Sequence, residues 1–237
     1  MSSDTLAFAV PVLGLTAVFD VFALYGAYLS ISVRRGLVVP IYRGRALWLA
    51  VIGLLGVLGI TYFGVAATLN PVLETSQPAL LEFLYLLPLA AILTWIDRTV
   101  NTVIRLDYLR RDVLFWRRLR FAYGLVAVIG ILIYYARYFL SIPDARIVGF
   151  ALIFSQLIYG MLALVRGARV TRDMTFKSHV RWSGFFLLAF IVAGFIYVLG
   201  YSNPSYVIPA LLSFVAASFG IYRMAKSLVP TSKRLKV

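Results

Sequence analysis

Four ionisable side chains stand where long apolar runs surround them, and each is a group that could do chemistry there. Asp20 is flanked by Phe19, Val21 and Phe22. Glu82 precedes an apolar stretch, Asp97 follows Trp95-Ile96, and Arg137 stands among Tyr134, Tyr135 and Tyr138. A charge in such surroundings is expensive, so each of these residues raises a functional question. For Asp20 the sharper reading is a site that holds a proton or a cation. The plainer reading is a hydrogen-bonded acid that fastens its helix to a neighbour.

Glu82 and Arg137 fall near the same end of consecutive antiparallel helices, where they could pair. With Tyr85, Tyr134 and Tyr138, and with Asp20 deeper in, they form the candidate ligand or proton site. Tyr62, Tyr135, Tyr197, Tyr201 and Tyr206 share that outer layer. A tyrosine belt at a membrane interface accounts for such a layer without any ligand. At the other end of the third helix, Thr94, Asp97, Asn101 and Arg105 follow spacings of three and four and therefore share a face. Asp97, Asn101 and Arg105 are the candidate polar site on that side. Fifteen residues separate Glu82 from Asp97, or about 22 Å of helix. The two acids mark either the ends of a polar route or two groups near opposite headgroup layers.

From Arg105 to Phe121 the apolar positions Leu106, Leu109, Val113 and Trp116 keep helical spacing. Arg110, Arg111, Arg117, Arg118 and Arg120 occupy much of the remainder. With Trp116 they are expected to touch anionic lipid headgroups or a cytoplasmic protein partner. His179 lies in a basic stretch and is expected to be solvated.

The elements that must position these residues follow from hydropathy and charge. The chain has 237 residues, 62% of them hydrophobic, and a formal net charge of +14. Of its 23 Lys and Arg residues, all but Arg98, Arg137 and Arg146 fall into four clusters: 34–45, 105–120, 166–181 and 223–236. Apolar runs separate the clusters, and a bilayer core of about 30 Å takes roughly 20 helical residues to cross. An even number of crossings fits between consecutive clusters. All four clusters can then share one side, which the positive-inside rule makes the cytoplasm. The expected fold is all-α: a single domain, 1–237, with seven transmembrane helices at about 6–33, 46–69, 79–104, 121–140, 147–165, 182–199 and 206–222. Its N-terminus would lie outside and its C-terminus in the cytoplasm. The run from Leu6 is too long for a signal-peptide core and predicts a retained helix. In this setting the basic charge points to anionic headgroups of the cell membrane, not to nucleic acid.

The composition also excludes chemistry. The chain has no cysteine and one histidine. Disulfides, thiolate catalysis and a bis-histidine haem within the chain are therefore out of reach. No paired acids, Ser-His set or metal-ligand spacing is evident, so no enzyme is expected.

Glu82-Phe83-Leu84-Tyr85-Leu86-Leu87-Pro88-Leu89 resembles the third-helix segment of microbial rhodopsins, where an acid, aromatics and a Pro-Leu follow at these spacings. The resemblance implies a seven-helix bundle with its N-terminus outside and makes Glu82 the counterpart of the counter-ion. The departures are as plain. The family's chromophore lysine belongs in the middle of the seventh helix, which here reads Leu212 to Ser218 without lysine. Lys177, Lys226, Lys233 and Lys236 all lie in the basic segments. Covalent retinal is disfavoured, because a Schiff base needs an amine inside the bundle. The aromatic-proline pattern of the family's sixth helix is missing too. The segment from Asp97 to Arg120 resembles uncharacterised archaeal membrane proteins, which carries no function with it.

The expectation is a non-enzymatic integral membrane protein of the cell membrane. It would bind a ligand or sense its surroundings, and act through a membrane or cytoplasmic partner or a second copy of itself. The alternatives are a proton-coupled small-molecule transporter using Asp20, Glu82 and Asp97, and an accessory subunit of a membrane complex.

Overall fold

The computed structural model of the chain describes residues 3–37, 40–69, 91–96, 145–170, 174–199 and 204–233, together with residue 89 and parts of 121–136. Five long helices dominate: α1 (Ser3–Arg34), α2 (Pro40–Leu69), α3 (Ala145–Val170), α4 (Met174–Leu199) and α5 (Val207–Lys233). A single 3₁₀ turn at Pro204–Tyr206 leads into α5. Residues 91–96 are helical as well, as is much of 121–133, and no strand occurs among the described residues.

Four stretches are long and apolar enough to cross a membrane: Ala7–Arg34, Tyr42–Leu69, Lys177–Tyr197 and Val207–Val229. They are apolar on all sides. Val10, Val21, Leu58, Leu188 and Leu212 are each more than half exposed. A helix apolar all round suits a lipid solvent, where its outward face needs no cover.

The chain reverses between α1 and α2 in a short turn. The Gly36 N–H donates to the Val33 carbonyl at 3.0 Å and the Leu37 N–H to the Arg34 carbonyl at 3.4 Å, capping the end of α1. Pro40 then opens α2, a place where its missing N–H costs nothing.

Side-chain contacts fix the directions. Asp20 meets Thr61, Phe19 meets Gly56 and Ala23 meets Gly53, so α1 and α2 are antiparallel. Phe22 meets Phe219 and Tyr25 meets Tyr222, so α1 and α5 are parallel. Trp182 meets Phe219 and Phe190 meets Phe214, so α4 and α5 are antiparallel. Phe154 stacks on Phe195, 5.4 Å between centroids, in keeping with antiparallel α3 and α4. The segment 91–96 lies against α4 through Trp95 on Phe186 and against α3 through Ile96 at Gly160. The helical stretch near Gly130 packs on α3 at Leu152 and Ile153.

These directions bring the end of α1, the start of α2, the end of α3, the start of α4 and the end of α5 to one pole of the bundle. Arg34, Arg45, Arg169, Lys177, Arg181, Arg223 and Lys226 stand at that pole.

In lipid, helices gain little from hydrophobicity when they associate and rely on close van der Waals packing between small residues. A Cβ on Gly53 would stand 2.9 Å from the Ala23 carbonyl oxygen, and one on Gly64 would run into the Thr16 side chain. Glycine at these two positions lets α1 and α2 approach closely.

The helices differ from the expected spans at the basic pole. There α2 starts at Pro40 rather than near 46, α3 runs to Val170 rather than 165, α4 starts at Met174 rather than 182, and α5 runs to Lys233 rather than 222. An apolar run ends where hydrocarbon ends, but a helix need not. Lys and Arg are good helix formers and carry their charge outward on long stems.

Candidate functional site

Asp20 is the one candidate site residue named from the sequence that falls among the described residues. It lies on α1, half-buried, level with Thr61 of α2. The Thr61 hydroxyl donates to Asp20 Oδ2 at 2.9 Å. Oδ1 is buried and has no hydrogen-bond partner among the described residues. One turn away, the Thr16 hydroxyl donates to the Val12 carbonyl at 2.8 Å, and Gly64 packs over it. The carboxyl therefore sits one turn from a close approach between α1 and α2. A hydrogen bond between membrane helices contributes about 0.6 kcal/mol on average and roughly 1.7 at most.

Beside this seam, Phe19, Gly56, Ile60, Phe190, Phe214 and Ile221 help line a cavity of about 30 Å³. A water needs about 10–15 Å³ together with polar partners. The space is sufficient for one water, but its walls are apolar and offer no hydrogen bond. The geometry favours Asp20 as a clasp between helices, and the adjoining void is far too small for an organic ligand.

At the basic pole a second polar cluster joins α2, α4 and α5. His179, expected to be solvated, is instead fully buried in the first turns of α4. Its Nδ1 lies 3.2 Å from Ser227 Oγ and 3.4 Å from the Met224 carbonyl. The Ser227 hydroxyl donates to the Met224 carbonyl at 2.6 Å. With that hydrogen committed, Nδ1–H is the donor toward Ser227, and Nε2 is a buried acceptor without a partner among the described residues. Ser183 donates to the His179 carbonyl at 2.7 Å and lies 3.2 Å from Met224 Sδ. Arg45 of α2 is 4% exposed, and its charge acts on the imidazole. Arg43 extends in another direction, donating from Nε to the Leu37 carbonyl in the α1–α2 turn.

A third feature runs across α1, α5 and α4 near this pole. Tyr28 stacks on Tyr25 at 6.4 Å, Tyr25 meets Tyr222 at 5.6 Å, and Phe22 meets Tyr222 and Phe219 at 6.0 and 5.5 Å. Phe219 meets Trp182 at 5.8 Å. Two cations cap the band. The Arg223 guanidinium lies 4.4 Å from the Trp182 ring centroid, and Lys226 Nζ lies 5.8 Å from that of Tyr222. Each such contact contributes about 0.5–1 kcal/mol where it is exposed. Tyr25 and Tyr28 remain 51% and 65% exposed.

Sequence reading placed its tyrosine layer at the opposite end of the spans and missed this band. The available signal was Tyr25 and Tyr28 at a spacing of three, with Trp182 and Tyr222 each beside an arginine. Of the expected outer layer, Tyr197 is buried in the core against Phe63, with ring centroids 5.6 Å apart. Glu82, Tyr85, Tyr134, Arg137 and Tyr138 lie outside the described residues. So do Asp97, Asn101 and Arg105, and so do Arg110, Arg111, Trp116, Arg117, Arg118 and Arg120.

By its helices the chain is an all-α integral membrane protein, with four spans evident in length and composition. No protein-family model matches the chain, and no curated protein matches it.

Proposed function

We propose that the chain is a non-enzymatic membrane protein of the cell membrane that binds a ligand or senses its lipid surroundings and acts through a partner. In this reading it crosses the bilayer seven times, with the N-terminus outside and the basic pole in the cytoplasm. Parallel α1 and α5 fit an odd number of crossings. The end of α2 and the start of α3 share the far pole, so the chain between them has room for two more. In this reading covalent retinal is disfavoured, because Lys177 and Lys226 stand at the basic pole and not in the middle of a span.

The observation that carries the partner reading is the aromatic and cationic band on the α1 edge. Only 28% of the α1 span is buried, against 50–56% for the other three. The face it leaves open holds Tyr25 and Tyr28, next to Tyr222 and Lys226. Aromatic residues and arginine are the types enriched where proteins meet. A photo-crosslinking residue at Tyr28, in native membranes, tests this reading. One discrete protein adduct is expected, from a second copy or a distinct subunit, with lipid adducts alone from Leu58 on α2. Lipid adducts alone from both positions would dispose of the reading.

The alternative is a proton-coupled transporter, favoured by the Asp20–Thr61 pair and by Oδ1, which has no hydrogen-bond partner among the described residues. Its test is proton or solute flux in liposomes. Flux that is the same for the parent chain and Asp20→Asn would end it.

A further inference from the structure

On the flank of α4 away from α5, a groove of about 630 Å³ opens between α3 and α4. Its walls change character with depth. At the basic pole it is bordered by Arg169 of α3 and by Lys177 and Arg181 of α4, and no acid is among the described residues that line it. Deeper in, its walls are Val165 and Met161 on α3 and Phe185 and Leu188 on α4. The α4 residues 177, 181, 184, 185 and 188 form one stripe at spacings of three and four. From Lys177 to Leu188 the groove descends about 16 Å along the helix. The first few ångströms are cationic and the remainder is apolar.

Gly184 sits where the two zones meet. A Cβ added there would meet nothing within 4 Å. Gly184 therefore differs from the glycines of the seams and keeps a slot open. Phe185 and Leu188, 40% and 52% exposed, form the slot's apolar rim.

We propose that this groove is a binding site for one anionic phospholipid. Its phosphate lies between Arg169, Lys177 and Arg181, and an acyl chain runs past Gly184 along Phe185, Leu188, Val165 and Met161. Three cations, with no acid among the described lining residues, favour a negative headgroup, and basic pockets between membrane helices suit such headgroups. The apolar lower half gives the chain a surface that a free phosphate would leave empty. The site depends on membrane insertion alone and is independent of a partner at the α1 edge.

The test uses the full chain in detergent micelles, titrated with phosphatidylglycerol or phosphatidylcholine and followed by native mass spectrometry. One phosphatidylglycerol is expected to be retained in preference to phosphatidylcholine. Lys177→Gln with Arg181→Gln should weaken that retention roughly thirtyfold, on the scale at which juxtamembrane cations attract anionic lipid. Arg34→Gln with Arg35→Gln removes as much charge from the same pole and should leave the retained lipid nearly unchanged. An equal loss in both pairs would mean diffuse attraction and would overturn the site.

Gly184→Leu keeps every charge and fills the slot. It should abolish retention while keeping the parent's thermal midpoint, and undiminished retention would overturn the acyl path. Should that variant fold poorly, the two charge pairs decide by themselves, since their side chains are at least partly exposed. Glycerol phosphate should compete only weakly. Competition as strong as that of the whole lipid would reassign the groove to a free phosphate and defeat the proposal.

Discussion

The two flanks of α4 differ in what stands beside a glycine. Toward α5, Phe186 faces Gly220, where an added Cβ would come within 2.9 Å of the Phe186 Cβ. On the same flank His179 and Ser183 reach Met224 and Ser227. Toward α3, Gly184 faces open space, and Lys177 and Arg181 border a groove. A glycine in a membrane helix therefore does not by itself mark a close seam. It marks a place where something approaches the backbone, and here one approach is by another helix while the other is left for a different occupant.

This contrast can be broken or sharpened by substitution. The largest effect is expected from His179→Ala, which empties a fully buried site on the packed flank and should cost about 2–5 kcal/mol. Thermal unfolding in detergent would show it, and a midpoint equal to the parent's would mean that the cluster is not part of the packing. Gly220→Leu should cost about 1–3 kcal/mol by forcing α4 and α5 apart. Denaturant titration of the reconstituted chain measures that cost.

Thr61→Val removes the donor to Asp20 from the α1–α2 seam. It should cost roughly 0.6–1.7 kcal/mol, as bonds between membrane helices do. A steric-trapping assay on these two helices resolves differences of this size. Arg223→Gln removes the cation over Trp182 and should cost about 0.5–1 kcal/mol. Its clearer readout is a change in Trp182 emission. The smallest effect belongs to the open flank: Gly184→Leu should alter stability by no more than about 0.5 kcal/mol, as substitutions away from packed features do. A loss as large as that of Gly220→Leu would show that the two flanks are alike after all.

Hydropathy and charge made the helical class and the apolar spans legible, because crossing a membrane demands a long run that nothing else in a chain resembles. The gathering of basic residues at one pole was legible for a related reason: a charged cluster must end a span. His179 and Arg45 were not legible. Both stand before the first residue of their expected spans, where hydropathy reads a loop, yet the helices already include them, and His179 reaches Met224 and Ser227 of α5. Asp20 was visible as a misplaced acid, but its partner was not. Thr61 is 41 residues away, and only the antiparallel register of α1 and α2 brings it level. Gly184 and Gly220 are the same letter, and which of them faces a neighbour depends on contacts that a single helix does not encode.

The neighbours of α1 have a consequence for biogenesis. It packs on α2, which follows within a few residues, and on α5, which emerges from the ribosome some 170 residues later. At a synthesis rate of about 5–20 residues per second, roughly nine to thirty-five seconds pass before that second neighbour begins to emerge. During that interval the aromatic side of α1 at Phe22, Tyr25 and Gly26 must be covered by lipid or by an insertion chaperone. A nascent chain stalled before α5 would display that surface, and membrane quality control would have a specific mark by which to recognise unfinished copies.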